Sequence, residues 1–525
     1  MMLESLAIKY EVLEASDHVG GRLFTKKFSN TPYDYYDVGA MRFPDTPMMA
    51  RAFKLFEQLK LPKDKYFFEN DNSTLLYNNI LQPRRSASSY PKPWDIKIPE
   101  SFDNLTWNAL VDNAIKPFAK KIAQDFKNNT NTGWKFMMQY DQYSTRAYMS
   151  GNREDTKSEL DRLNMMPYPI SVVNWLETFD KSTGSFDKAL SEAVLDSLAF
   201  AFPVKDIKWY CIDGGSQVIT DTMKSQLKYQ PTVKASVTAI SLVEDPDPWK
   251  TTVRLSFPKG QSKPYAHVIN TSTLPCLRAM DLSRAGLDVD QSTALRELTC
   301  GPATKIGVKF TDAWWQDPKI MKKYGPIVGG QSFTDRMVRT VVYPSYGVNT
   351  DTPSAVLIVS YAWTNDSLRW GSLFGASTSD QLKEIVCRDL AAMHGFEPVE
   401  GVACLKSKWV ECSPFSWTNN PYSMGAYGFF GPGQFTQVWE NLTRPAAKDR
   451  LHFGGEMVSA RHAWVVGALD ASWRAVREIL LLSRPKLLDK FEKLWGPDED
   501  CNDTIMLRQI AMSHYLQRQK PKQSA

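Results

Sequence analysis

The chain is poor in cysteine, has no paired histidines and has no long apolar run, and each shortfall removes a class of protein. Its 525 residues include seven cysteines, none spaced as Cys-x-x-Cys. An odd count without that spacing argues against a disulfide framework or a cysteine-built zinc site, and suits a reducing compartment. The six histidines form no His-x-His or His-Glu-x-x-His pair, so no catalytic zinc motif is present. The longest apolar stretch, Ala355 to Trp363, is interrupted by Ser360 and falls short of the roughly 18 residues a membrane helix needs. Met1 to Ile8 lacks the charged start and long apolar middle of a signal peptide. The ending Lys522-Gln523-Ser524-Ala525 is not a peroxisomal address. A cytoplasmic location is therefore the favoured expectation, with the true address left open. Lysine and arginine total 63 against 58 aspartates and glutamates, a net charge of +5. Spread over the whole chain, that excess is no nucleic-acid footprint. Nowhere does the sequence read Gly-x-Gly-x-x-Gly, and it has no internal repeat.

What remains is an ordinary globular composition, 43% apolar and 23% charged, long enough for about two to four domains. Met2, Leu3, Leu6 and Ala7 read as the tail of a helix, and Lys9–Glu14 as a short strand ending on an acid. Helical spacing marks Pro47–Lys60, Leu105–Lys127 (with Pro117 expected to kink or split it), Ser185–Phe202 and Ser379–His394. Paired strands are expected at Thr232–Val243 and Thr251–Phe257 around the Asp245-Pro246-Asp247-Pro248 turn. Further strands are expected at Thr304–Phe310, Thr340–Tyr343 and Ala355–Ala362. Trp464–Leu482 is a strong helix whose Gly467, Ala468, Ala471 and Ala475 make a small-residue face. The alternation predicts an α/β, multi-domain (α+β) protein with a mixed-sheet domain and a helical insertion.

Four constellations carry chemistry. Glu14-Ala15-Ser16, followed by Gly20-Gly21-Arg22, places an acid at a strand end and a glycine turn with an arginine behind it, as in a nucleotide-binding βαβ unit. Gly39-Ala40-Met41-Arg42-Phe43-Pro44 offers a guanidinium, which binds a carboxylate bidentately as lysine cannot. Gly454-Gly455-Glu456, then His462-Ala463-Trp464-Val465, opens a helix whose N-terminus suits an anionic ring edge. Lys305 sits inside a strand. Singly, each also reads as an ordinary turn, salt bridge or solvated lysine.

Taken in order and spacing, these segments resemble the flavin-dependent amine oxidases, in particular their L-amino-acid oxidase branch, over about residues 8 to 483. The resemblance implies FAD as cofactor, held by Glu14, Ala15, Ser16, Gly21, Arg22, Gly39, Ala40, Met41, Arg42, Val237, Gly455, Glu456, Trp464 and Val465. Glu14 would meet the adenosine ribose, Arg22 the pyrophosphate, Val237 the adenine and Glu456 a ribityl hydroxyl. Arg42 and Tyr361 would bind the substrate carboxylate, Ala463 would offer a carbonyl to its amine, Trp464 would wall the slot, and Lys305 would hold a water near flavin N5. The implied reaction transfers a hydride from the substrate Cα to the flavin and yields a 2-oxo acid, ammonia and hydrogen peroxide. The partners would be a small-molecule amino acid and O2, with a homodimer left open. Tyr361, Trp363, Phe430 and Trp464 would give an aromatic pocket suited to a bulky apolar side chain. The implied division is a discontinuous FAD-binding domain (1–62, 205–290, 435–485), a substrate domain (63–100, 291–434), a helical domain (101–204) and a tail (486–525).

One departure stands out. The ribose acid normally follows the glycine fingerprint by about 20 residues, and counting back from Glu14 runs past Met1. The sequence is therefore expected to lack the first strand and pyrophosphate loop of a Rossmann-like fold. Two alternatives stay open: an oxidase of monoamines or polyamines, and a truncated non-catalytic homologue that does not bind FAD.

Overall fold

The protein is described by a computed structural model covering residues 1–128, 130–151, 167–180, 183–201, 206–348, 350 and 353–496. Its centre is a seven-stranded sheet with the order Trp409–Ser416, Ala303–Phe310, Val356–Trp363, Thr340–Val342, Gln331–Thr334, Thr74–Tyr77, Ile80–Pro83. Ala303–Phe310 is buried at all but one position, as expected for a strand with neighbours on both sides and cover on both faces. Its antiparallel register sets Lys305 opposite Tyr361 on one side and Phe415 on the other. The expected strands at 304–310, 340–343 and 355–362, and the helix at 379–394, therefore appear within a residue or two.

The Trp107–Asn128 helix runs unbroken through Pro117. The expected split fails because Ala114 and Phe118, on either side of the proline, are fully buried in a helical core with Ile122, Val172, Leu176, Val194 and Leu198. Tertiary packing here overrides local propensity. Ser185–Asp187 is a short 3₁₀ turn, and the following helix is Leu190–Ala201. Of the expected Ser185–Phe202 helix, Phe202 lies outside the described residues, as does most of the tail at 486–525.

The other sheets are smaller, with a four-stranded one, a three-stranded one and three two-stranded ones among the described residues. Val268–Asn270 pairs with Leu451–Phe453, while Leu13 makes only an isolated parallel bridge to Thr232. The expected Lys9–Glu14 strand is not formed and is reduced to that bridge: a segment with one flanking neighbour forms few ladder bonds, here Glu14 N–H to the Thr232 carbonyl and Thr232 N–H to the Val12 carbonyl. Among the described residues, no further strand pairs with Val268–Asn270 or with Leu13. Thr232–Thr238 is likewise not strand; the hairpin begins at Ala239–Val243 and pairs with Thr252–Ser256. The Val465–Ser483 helix packs closely because residue 467 is glycine: a Cβ there would lie 2.2 Å from the Arg461 carbonyl oxygen. No described helix is long and apolar enough to cross a membrane.

Candidate active site

Arg42 enters the interior just ahead of the short Phe43–Pro44 strand, which pairs with Trp209–Ile212. That pairing brings distant aromatics round the guanidinium. Its carbon lies 4.8 Å from the Phe68 ring centre, 5.7 Å from Phe200 and 5.9 Å from Trp209. One terminal nitrogen donates to Gln331 Oε1 at 3.1 Å, and Gln331 Nε2 in turn donates to the Phe68 carbonyl at 3.3 Å. Among the described residues no carboxylate pairs with Arg42. Trp464 leans on Phe200 (ring centres 5.3 Å apart) and Trp209 (6.5 Å). The buried Trp464 Nε1 has no hydrogen-bond partner among the described residues, and the Tyr66 hydroxyl lies within hydrogen-bonding reach of Arg42. Burial raises the Tyr66 hydroxyl pKa, and the nearby Arg42 charge works against that rise.

Lys305 approaches the same chamber from the central sheet. Its Nζ donates to the carbonyls of Asp37 (2.9 Å) and Gly39 (2.6 Å) and lies 4.6 Å from the Tyr361 ring centre. Burial brings its pKa down to about 7, against the pull of the Asp37 carboxylate and with the push of Arg42. Asp37 is raised by the same burial, although Thr25 and Ser216 donate hydrogen bonds to it. The structure thus brings Arg42, Tyr361, Trp464 and Lys305 to one region, with Gly39, Ala40 and Met41 between them.

Arg22 is different. Its guanidinium forms a 2.6 Å ion pair with Glu456 and also donates to the Ala426 carbonyl. Glu456 further accepts from the backbone N–H of Gly428 and Ala463. Burial alone would raise the Glu456 carboxyl; Arg22, His462 and the Ala463 N–H outweigh it and hold it low. His462 is buried too, yet its pair with Glu192, both oxygens at 3.0 Å from Nδ1, keeps its pKa raised. These contacts pin the turn that presents Ala463 and Trp464. Ala463 itself is exposed, in the left-handed backbone region at φ 64°. Farther off, Glu14 Oε1 accepts from Ser16 N–H. Burial raises the Cys276 thiol, with Arg22 acting against that rise and Glu14 adding to it. Val237 is half-buried beside the Ala239–Val243 hairpin core. Phe430 does not line the chamber: it is fully buried against His462 and Phe435.

Sequence reasoning missed Tyr66, Phe68, Phe200, Trp209, Gln331 and Glu192. Only Glu192 and Phe200 carried a signal, two helical turns apart on one predicted helix.

The residues present fit a flavin. The Val465–Ser483 helix begins without a side-chain cap, leaving its first N–H groups available. Trp464 Nε1 beside it has no partner among the described residues. Gly455, at φ 95°, has open space on its Cβ side apart from one carbonyl 3.7 Å away. At the dinucleotide end, no glycine-rich turn opens a helix beside Leu13 and Val268–Asn270 among the described residues.

The fold is mixed α/β, built from mixed sheets and helices, and the protein is a flavoprotein oxidoreductase. Residues 3–480 match the family described as flavin containing amine oxidoreductase, and the chain belongs to it. It is 43% identical over 527 residues to L-amino-acid oxidase 4 of Hebeloma cylindrosporum, covering 95% of this chain and 82% of that one. It is 26% identical to an L-amino-acid oxidase of Siganus canaliculatus, over 91% and 82% of the two chains. A solved structure of a single-substitution variant of putrescine oxidase shares the fold, with a TM-score of 0.66 at 14% identity over 92% of this chain and 95% of that one.

Proposed function

We propose that the protein is an FAD-dependent oxidase that deaminates an L-amino acid to its 2-oxo acid, with ammonia and hydrogen peroxide as co-products. The observation that carries this reading is Arg42. A guanidinium walled by Phe68, Phe200 and Trp209, with the neutral Gln331 and Tyr66 as polar neighbours and no carboxylate partner among the described residues, is costly unless an anion completes it. An α-carboxylate supplies that anion and a simple amine does not. The 43% identity to an L-amino-acid oxidase supports the same choice.

FAD, when bound, would supply the two-electron acceptor and the onward route of those electrons to O2. The chain's own part is orientation and electrostatics. Arg42 anchors the carboxylate, and Trp464 with Phe200 and Tyr361 walls the slot and excludes water. Lys305, with a pKa near 7, changes charge close to neutrality and can hold or release a proton at Nζ. Glu14, Arg22, Val237, Gly455, Glu456 and the Val465–Ser483 N-terminus are the residues proposed to hold the cofactor.

The test is direct. The purified chain, supplied with FAD, should show the visible absorbance of bound flavin and release peroxide with L-amino acids. A colourless protein, or one that releases peroxide from amines but not amino acids, contradicts the reading.

A further inference from the structure

Two buried carboxylates tie the same two segments together. Glu456 accepts from the Gly428 N–H, at 3.0 Å and 3.1 Å to its two oxygens, and from the Ala463 N–H at 2.9 Å. Glu192 accepts from the Phe430 N–H at 3.0 Å and holds His462 Nδ1 at 3.0 Å from each oxygen. Each carboxylate therefore joins the 428–430 segment to the 462–463 turn. Glu456 lies seven residues before Ala463 in the chain. Glu192 stands instead on the Leu190–Ala201 helix, whose Leu190, Val194 and Leu198 are fully buried in the helical core. The Ala189 N–H, just ahead of that helix, donates to the Phe430 carbonyl at 3.0 Å. Both backbone groups of Phe430 are thus bonded to the start of one helix.

His462 is closely fitted in this clamp. A Cβ on residue 428 would lie 2.8 Å from its ring. Phe435 stacks on it with centres 5.6 Å apart, and Phe430 packs edge-on at 4.3 Å. The next residue, Ala463, takes a left-handed backbone, φ 64°, which a residue with a Cβ adopts rarely. Such a conformation persists only where its surroundings over-determine it. Here one carboxylate acts through the His462 ring and the other through the Ala463 N–H. Trp464 follows at once, capping the Val465–Ser483 helix and meeting Phe200 and Trp209. We infer that Glu192 and His462 are positioning residues for the oxidation: their pair sets the direction of Trp464 and of the helix start behind it. This rests on the amino-acid oxidase reading. Loss of the pair leaves the carboxylate anchor at Arg42 untouched but frees the slot wall, so the substrate still binds and is badly aligned. The signature is a lower kcat with KM nearly unchanged.

The experiment measures peroxide release per mole of bound flavin. It uses whichever of L-leucine, L-phenylalanine, L-glutamate and L-lysine the wild type oxidises fastest. Glu192→Ala and His462→Ala should each lower kcat by about 10- to 100-fold, with a far smaller change in KM. The double variant should fall no further than the worse single one, because the two side chains act through each other. Glu192→Gln keeps the size and the acceptor for the Phe430 N–H, and should recover part of the loss. It also decides the matter if the alanine variants fail to load flavin: a lowered kcat with KM held supports the inference, and a wild-type kcat overturns it. A kcat unchanged in the alanine variants, or single losses that multiply in the double variant, overturns the inference and leaves the oxidase reading standing. A wild type that oxidises none of the four amino acids overturns both.

Discussion

Arg22 and Arg42 lie twenty residues apart and end in opposite situations. Arg22 has its charge answered within the chain: Glu456 sits 2.6 Å away, nearly buried, and that carboxylate also ties down Gly428 and Ala463. Arg42 is surrounded by rings and a neutral amide. The contrast is between an arginine paired with a carboxylate inside the chain and one that has no carboxylate partner among the described residues. A charge neutralised at home holds two segments together, and a charge left open in an apolar chamber is a demand for a ligand.

The comparison is broken or sharpened by removing each side in turn. Glu456→Ala should cost about 3–5 kcal/mol of stability, because it strands the Arg22 charge; denaturant unfolding measures it, and a loss under 1 kcal/mol would mean the pair is ornamental. Arg42→Ala should do the reverse. Its kcat/KM for amino acids should fall by about 100-fold or more, while its unfolding midpoint stays at or above that of wild type. A large fall in stability with little loss of activity would make Arg42 structural.

Lys305 gives a pH test. Its folded pKa, about 7, lies below its ordinary value of 10.5. Between those values the unfolded chain binds a proton that the folded chain does not, so Lys305 makes stability rise with pH across that window. The gain is fully present above the unfolded value and is lost as pH falls towards 7. The slope is at most about 1.4 kcal/mol per pH unit. Lys305→Met should flatten it, and an identical slope in the variant would contradict the burial account. The smallest effect sets the scale away from both arginines: Ser144, which caps the Thr145–Ser150 helix by accepting from Ala147 N–H, should cost about 1 kcal/mol as Ser144→Ala.

The sequence spoke clearly where chemistry is local. The helix after Trp464 was legible from its periodicity and small residues, and Gly467 shows why they are small. The central strands were legible from their apolar runs, and Arg42 from its Gly39–Pro44 segment. The cage round Arg42 was not, because Phe68, Phe200, Trp209 and Gln331 come from separate segments that only the Phe43–Pro44 to Trp209–Ile212 pairing and the central sheet assemble. The Arg22–Glu456 pair spans 434 residues, and no local pattern announces such a contact. Lys9–Glu14 read as a strand from its own composition, but a strand also needs neighbours, and Leu13 has only Thr232.

The central claim is that Arg42 awaits a carboxylate. The sharpest measurement sets L-norleucine against n-pentylamine, the same molecule without the carboxylate, on FAD-loaded wild type and Arg42→Ala. The account predicts that wild type prefers norleucine in kcat/KM by about 100-fold or more and that the variant loses most of that preference. Equal use of the two compounds by wild type, or a preference that survives in Arg42→Ala, would contradict it.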